Sequence, residues 1–228
     1  MQNSDSSIKT YMANATQALE IAEAMYQADP NSIHVHISGG NDKIGPTSNI
    51  SLLPVFTCGN CCACKRYCYA IRICHYSKTA ALPAWAENTI IYRNDPDRYF
   101  ENIRTYLTIH GGGFFRWHVG GEIPDRNYFR NMVKIARDFK AWHFWTYTKM
   151  YDIANSIKIY PRNFVVMYSK WEGMPINNPY GRPEFRTRLK GMPEKPFKGL
   201  WHCDGNCIKC IMQRRGCVVG ETTYNDEH

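Results

Sequence analysis

Apolar residues recur at three- and four-residue steps from Ile8 through Tyr11, Met12, Ala15, Leu19 and Ala22 to Met25, the mark of one buried helical face. The pattern predicts an amphipathic helix over residues 8–28, capped by Ser6 or Ser7 and ended by Asp29-Pro30-Asn31. The period then falls to two. In Ile33-His34-Val35-His36-Ile37 the aliphatic residues take one face and the two histidines the other, which predicts a strand. A polar strand face explains that histidine pair more simply than metal ligation does. Gly39-Gly40-Asn41-Asp42 marks a turn, and Ile50 to Phe56 reads as a short or edge strand because it contains Pro54.

Helical spacing returns over residues 79–92 and 96–109. Asp95 caps the second helix, Pro96 takes its first position, and Gly111-Gly112-Gly113 stops it. Phe114 to Val119 is a strand of aromatic and β-branched residues that runs into Gly120-Gly121-Glu122-Ile123-Pro124-Asp125. Asp125 caps a helix from Arg126 to Phe139 that turns Tyr128, Met132, Ile135 and Ala136 inward. Trp142 to Lys149 (strand), Tyr151 to Ile157 (short helix) and Asn163 to Ser169 (strand) repeat the alternation. Strands alternating with helices predict an α/β fold with a parallel sheet, in the form of a partial or open barrel. Functional groups collect at the carboxyl ends of such strands, where Cys58, Glu122, Lys149 and Lys170 fall. The proline-rich stretch from Trp171 to Trp201 reads as loop, and the residues after Cys217 as a frayed tail. The expected organisation is an N-terminal helix (1–32), an α/β core (33–200) with a cysteine loop at 57–74, and a cysteine-rich metal-binding segment (201–228).

The ten cysteines among 228 residues change the picture, because all of them fall in two short windows. Cys58, Cys61, Cys64 and Cys68 form C-x2-C-x2-C-x3-C, a spacing suited to thiolate ligation of an iron–sulfur cluster. Zinc sites more often join two knuckles a dozen or more residues apart. Cys62 and Cys74 leave other ligand sets open. In the second window, Cys203, Cys207, Cys210 and Cys217, a second cluster and structural zinc fit equally. No apolar run reaches membrane-spanning length and the first residues lack a signal peptide's pattern. The expectation is therefore a reducing cytoplasm with no membrane partner, where clustered thiols mean metal or catalysis. The formal charge of +8 suits nucleic acid or a phosphorylated substrate. Its tight pairs, Lys65-Arg66 and Arg214-Arg215, sit beside cysteines as counter-charges, so weak nucleic-acid binding is the most that charge predicts. Arg116, His118, Glu122, Asp125 and Lys149 can bind an anionic substrate or move protons, and can equally be paired residues at a sheet rim.

Val35-His36-Ile37-Ser38, the Thr57–Ala70 loop, Phe115 through Asp125, Thr146-Tyr147-Thr148-Lys149 and the closing cysteines resemble the phage gene product 88 family, from about residue 33 to residue 217. That resemblance implies a phage or prophage protein in the cytoplasm of a bacterial host. More loosely, the chain is similar to radical S-adenosylmethionine (SAM) enzymes. These are partial barrels in which three cysteines after the first strand hold a 4Fe-4S cluster and leave one iron open to SAM. Cys58, Cys64 and Cys68, or Cys61, Cys64 and Cys68, would stand for that triplet. Gly120-Gly121-Glu122 would be the SAM-binding turn with Arg116 beside it, and Glu122, Lys149 and His118 the catalytic candidates. The usual C-x3-C-x2-C order occurs only at Cys203, Cys207 and Cys210; the first window shows it reversed. Such an enzyme would draw electrons from a ferredoxin or flavodoxin and act on a small molecule or nucleic acid. The competing expectation is a metal-stabilised phage accessory protein that binds nucleic acid or a host protein without catalysis.

Overall fold

The structure is a computed structural model of the chain, and it describes all residues except 1–3, 41–43, 60–63, 172–173, 189, 208–209, 211–219, 221 and 227–228. Helix α1 spans Asp5–Ala28, one turn earlier than the periodicity predicts, because Ser4 is the cap and accepts from the Ser7 N–H. Tyr11, Ala15, Leu19 and Ala22 form its buried stripe, which packs on α3 (Ala81–Asn94). Helix α2 (Tyr69–Tyr76) follows the cysteine loop, and α4 (Pro96–His110) follows α3. The predicted punctuation of α4 holds: Asp95 accepts from the Arg98 N–H, and Gly111 ends the helix with φ 73°. Helix α5 (Arg126–Asp138) buries Tyr128, Met132, Ile135 and Ala136 as predicted, with Phe129 and Val133 beside them. Fully burying side chains of this size stabilises by roughly 1.5–3 kcal/mol each, so the face of α5 is a main anchor of the core. Helix α6 is only Tyr151–Ala154, shorter than the predicted run to Ile157.

The strands are β1 (Ile37–Ser38), β2 (Ser48–Ile50), β3 (Gly113–Trp117), β4 (Trp142–Thr148), β5 (Phe164–Lys170), β6 (Glu184–Arg188), β7 (Trp201–His202) and β8 (Thr223–Asp226). They form one sheet in the order β1-β2-β3-β4-β5-β6-β8-β7. Every neighbouring pair is parallel except β1 with β2. The protein is thus mixed α/β with an open, mostly parallel sheet, and the sheet does not close into a barrel.

Four sequence expectations are corrected. Residues 33–36 are extended but unpaired, so the predicted strand shrinks to β1. The alternation still shows in burial: Ile33 is buried and both histidines are exposed, with His36 Nε2 at 2.7 Å from Glu87. The run at Ile50–Phe56 is not an edge; β2 lies between β1 and β3 and stops at Ile50, before Pro54. The loop from Trp171 to Trp201 contains β6, and the tail contains β8, which pairs with both β6 and β7. The predicted turn at residues 39–42 falls partly outside the described residues.

Helices cover one face of the sheet. Phe115, Trp117, Phe144 and Val166 point into that layer and form the core with Tyr99, Phe129 and Met132.

Candidate functional site

The chain turns at residues 54–59, a few residues past the end of β2. Val55 adopts φ 71°, a left-handed conformation that a β-branched residue rarely takes. In that turn the Val55 N–H donates to Cys58 Sγ at 3.2 Å, and the Cys58 N–H donates to the Val55 carbonyl at 3.4 Å. The Thr57 hydroxyl donates to the Leu53 carbonyl at 3.0 Å, and the Tyr11 hydroxyl on α1 donates to that of Pro54 at 2.6 Å. Cys61 and Cys62 lie outside the described residues. The description resumes at Cys64, passes through a 3-10 turn at Lys65–Tyr67, and reaches Cys68, the residue that caps α2.

Cys58, Cys64 and Cys68 are half-buried. Burial raises the Cys68 pKa and Cys64 adds to that; the Ile71 N–H, the Lys149 ammonium and the Ala70 N–H oppose it. The first-turn amides of α2 therefore face the sulfur, as the positive end of a helix favours. Cys74 is different. It is 1% exposed in the core, and burial pushes its thiol up to about 12, so it acts as a packing residue. Burial raises the Tyr11 pKa, and Cys74, Cys68 and Cys58 add to that.

The Gly-Gly-Glu turn sits directly on the base of this loop. The Leu52 N–H donates to the Gly120 carbonyl at 3.0 Å. A Cβ on Gly120 would lie 2.4 Å from the Trp85 ring. Gly121 has φ 81°, and a Cβ there would lie 2.6 Å from the Leu52 carbonyl oxygen and 2.7 Å from Thr57 Oγ1. Both glycines are required by space, and the second also by conformation. The Glu122 N–H then donates to Thr57 Oγ1 at 3.3 Å.

The Glu122 side chain turns inward and is 3% exposed. It accepts from Thr148 Oγ1 at 2.8 Å and from the Lys149 N–H at 2.9 Å, with Lys149 Nζ at 3.9 Å. Desolvation raises its pKa, and Lys149, Thr148 and the two backbone amides only partly offset that. Lys149 Nζ lies 6.0 Å from the centre of the Trp171 ring, and Trp171 packs against Tyr67 with centroids 5.5 Å apart. The ends of β3, β4 and β5 thus converge on the cysteine loop. The sequence pattern placed Glu122 and Lys149 at one edge, but nothing in it marked Thr57, Thr148, Tyr67 or Trp171 as the partners that fix them.

Arg116 and His118 diverge. Arg116 points away from the helical layer, donates through Nη2 to the Tyr69 hydroxyl at 2.9 Å, and lies 5.0 Å over the Tyr147 ring. Tyr69 directly follows Cys68 and donates to the Val119 carbonyl at 2.6 Å, which ties β3 to the start of α2. His118 adopts φ 59°, is 4% exposed, and meets the Tyr128 hydroxyl of α5 through Nε2 at 3.0 Å. Among the described residues its buried Nδ1 has no hydrogen-bond partner. Burial first, then Arg116, lowers its pKa to about 3. Asp125 is a cap, accepting from the Asn127 and Tyr128 N–H groups and from the Tyr92 hydroxyl.

In the second window Cys203 and Cys207 are half-buried, Cys210 is buried, and Cys217 lies outside the described residues. The Cys203 N–H donates to the Tyr224 carbonyl at 2.6 Å, so β8 holds this window against the sheet. Among the described residues, no three Cys, His, Asp or Glu side chains stand together as a metal-holding group. No described helix is long and apolar enough to cross a membrane.

Fold and site together define a class: an open, mostly parallel α/β protein that gathers thiols, a buried carboxylate and an ammonium at the carboxyl edge of its sheet. Residues 15–184 match the gene product 88 family, and the chain belongs to that family. The match takes in most of α1 and stops at Glu184, so the second cysteine window lies outside it, contrary to the expectation of a resemblance reaching residue 217. No curated protein and no solved structure matches the chain.

Proposed function

We propose that the Cys58–Cys68 loop carries a 4Fe-4S cluster and that the carboxyl edge around it is the site of a radical-SAM-like enzyme. One observation carries the reading: backbone N–H groups meet two of the loop's thiols, Cys58 through Val55 and Cys68 through the first turn of α2, with an ammonium nearby. These donors offset part of the burial that raises the Cys68 thiol, and thiolate is the form that binds metal. The donor set is all sulfur, which fits iron–sulfur chemistry. Cys58, Cys61, Cys64 and Cys68 supply the ligands, and three of them suffice where one iron is to stay open. Bound there, the cluster supplies one-electron reduction.

The chain order adds support, because the cysteine loop follows β2 and Gly-Gly-Glu follows its neighbour β3. Glu122 already stands 3.9 Å from the Lys149 ammonium as an ion-pair partner, and attraction to an ammonium is the chemistry needed to hold the amino group of SAM. Lys149 is the counter-charge and proton carrier at the edge, Arg116 the anchor for an anionic group, and His118 a neutral positioning residue behind β3. Cys203, Cys207, Cys210 and Cys217 hold a second metal, a cluster or zinc. A ferredoxin or flavodoxin is the electron donor, and the substrate is a small molecule or nucleic acid.

Protein purified without oxygen should be brown, contain iron and sulfide, and bleach on reduction. Millimolar SAM should shift the cluster's spectrum. Stoichiometric zinc without iron would overturn the cluster, and an unchanged spectrum would overturn the SAM chemistry alone. An iron or zinc protein that ignores SAM, and binds nucleic acid with affinity falling steeply with salt, would be the accessory protein instead.

A further inference from the structure

Helix α5 has an outer face that the core does not use. Arg126, Arg130, Lys134 and Arg137 are exposed along it. At about 3.6 residues per turn they fall within an arc of about 80°, in a row about 16 Å long. Residues 157–163 lie alongside. The Tyr160 ring stands 5.6 Å from that of Phe129 on α5, and Asn163 Nδ2 donates to the Ala136 carbonyl at 2.9 Å and the Phe139 carbonyl at 3.2 Å. This segment adds exposed Lys158 and Arg162, and Lys140 just beyond α5 is exposed as well.

Among the described residues, none of these seven cations is in an ion pair. The two carboxylates at the ends of α5 are already committed: Asp125 caps the helix, and Asp138 pairs with Arg104 at 2.7 Å. The row also works against its own helix. Arg126 takes the first helical position, where the positive end of the dipole disfavours a cation, and the first turn holds no acidic residue. Arg126, Arg130 and Lys134 stand four residues apart, the spacing at which like charges repel. An anionic partner offsets both effects. Toward α4 the surface becomes mixed, because Asp97 and Glu101 line the groove there with Lys134, and so they bound the patch.

We propose that this face binds the phosphate backbone of duplex DNA. Four of the seven cations are arginines, whose planar forks suit phosphate oxygens. A duplex carries one charge per about 1.7 Å of axis, so a row of this length meets more phosphates than it has cations wherever it lands. Such contacts position the protein but read no sequence. A helix suits the wide major groove of B-form DNA and its phosphate rims, whereas the groove of A-form RNA is too narrow for it. Single strands are held by rings that stack on bases, and among the described residues this face offers none. Tyr128 and Phe129 are buried, and Arg182 covers Tyr160 with its Cζ 3.7 Å from the ring centre. A membrane fits less well, because the apolar side of α5 is buried in the core and Ile159 is the one large apolar group exposed beside the patch. Duplex DNA is then the partner left open above. Its binding rests on the patch alone, while any reaction on the bound strand rests on the cluster reading.

The test is fluorescence anisotropy of short labelled DNA duplexes of two unrelated sequences, titrated with the whole protein purified without oxygen. Both should bind alike, and an RNA duplex, one DNA strand alone and vesicles of anionic phospholipid should all bind more weakly. With about four phosphate contacts the log–log salt slope should lie near −4, a loss on the order of a hundredfold between 50 and 200 mM salt. Arg126→Gln with Arg130→Gln should make that slope shallower by about 2 and weaken binding at low salt at least tenfold. Its melting temperature should hold or rise, since a cation leaves the first turn. Should that pair melt lower than wild type, Arg137→Gln with Arg162→Gln decides. Lys9→Gln with Lys78→Gln removes the same charge from exposed positions elsewhere and should leave affinity within twofold. Equal losses in the two pairs would reduce the effect to diffuse charge and overturn the inference. So would no duplex binding at 50 mM salt by the folded protein, or a preference for RNA, single strand or vesicles. Iron and sulfide are measured on the same sample. Duplex binding by iron-free protein leaves this inference standing and removes the cluster, whereas a cluster that responds to SAM in protein blind to DNA does the reverse.

Discussion

His118→Asn should flatten the acid limb of the stability curve. The wild-type imidazole is held neutral behind β3, its pKa lowered from 6.5 to about 3 by burial and by Arg116. Below pH 6.5 the unfolded chain takes up a proton that the folded chain refuses until about pH 3. Stability from this group is therefore full above pH 6.5 and is lost as pH falls through that window, at about 1.36 kcal/mol per pH unit. Between pH 6.5 and pH 4 the loss amounts to about 3 kcal/mol, a large part of a typical domain's 5–15 kcal/mol. Asparagine accepts the left-handed backbone of φ 59° better than most residues, which isolates the imidazole from its strained position. The variant should be less stable at pH 7.5, because it leaves a small cavity and takes from the Tyr128 hydroxyl one of its two partners, the other being the Tyr99 hydroxyl at 2.8 Å. Its stability should nevertheless fall less steeply with acid. Urea unfolding followed by tryptophan fluorescence at half-unit pH steps measures both curves. If wild type and variant lose stability in parallel between pH 6.5 and pH 4, the imidazole is not held neutral and the reasoning fails.

Glu122→Gln should act with the opposite sign: the folded carboxyl's pKa is raised, so wild-type stability declines as pH rises above about 4.5, and the difference curve from urea unfolding should show that slope vanish in the variant. Asp125→Ala removes the cap of α5 and the acceptor for Tyr92, and should lower stability by about 2 kcal/mol in thermal unfolding, against near zero if the cap is idle. Gly121→Ala forces a Cβ to 2.6 Å from the Leu52 carbonyl oxygen at φ 81°, and a loss of about 2–4 kcal/mol is expected; wild-type melting would contradict the fit described. If the second window holds the metal proposed for it, replacing Cys207 and Cys210 by Ala should lower metal content and melting temperature together, because that binding would contribute to folding; unchanged values of both would make those thiols spare.

The elements that announced themselves were those whose chemistry is local. Asp95-Pro96 and Gly111 bracket α4, Asp125 starts α5, and the apolar runs at β3, β4 and β5 name themselves. What escaped was non-local. Glu184-Phe185-Arg186-Thr187-Arg188 and Thr223-Tyr224-Asn225-Asp226 are too polar for core strands, and only pairing with β5 and with each other makes them strands. The same holds at the site. The alternation of strands and helices put Cys58, Glu122 and Lys149 at one edge. That Glu122 would be sealed by Thr148, or that Trp171 would rest on Tyr67, depends on contacts between residues far apart in the chain, which no local pattern encodes.

The two glycines before Glu122 act as a missing spacer. With no side chain between them, the turn after β3 and the base of the cysteine loop are in direct contact, and the Glu122 N–H, Thr57 hydroxyl and Leu53 carbonyl run as one line of hydrogen bonds. A displacement of the loop therefore has no slack to absorb it before it reaches the turn, and through the turn the pocket that holds the carboxylate. Under the proposed loading of the thiols, their occupancy and the protonation of Glu122 would form a single linked equilibrium, so that the acid–base titration of one residue would serve as a gauge of the occupancy of others.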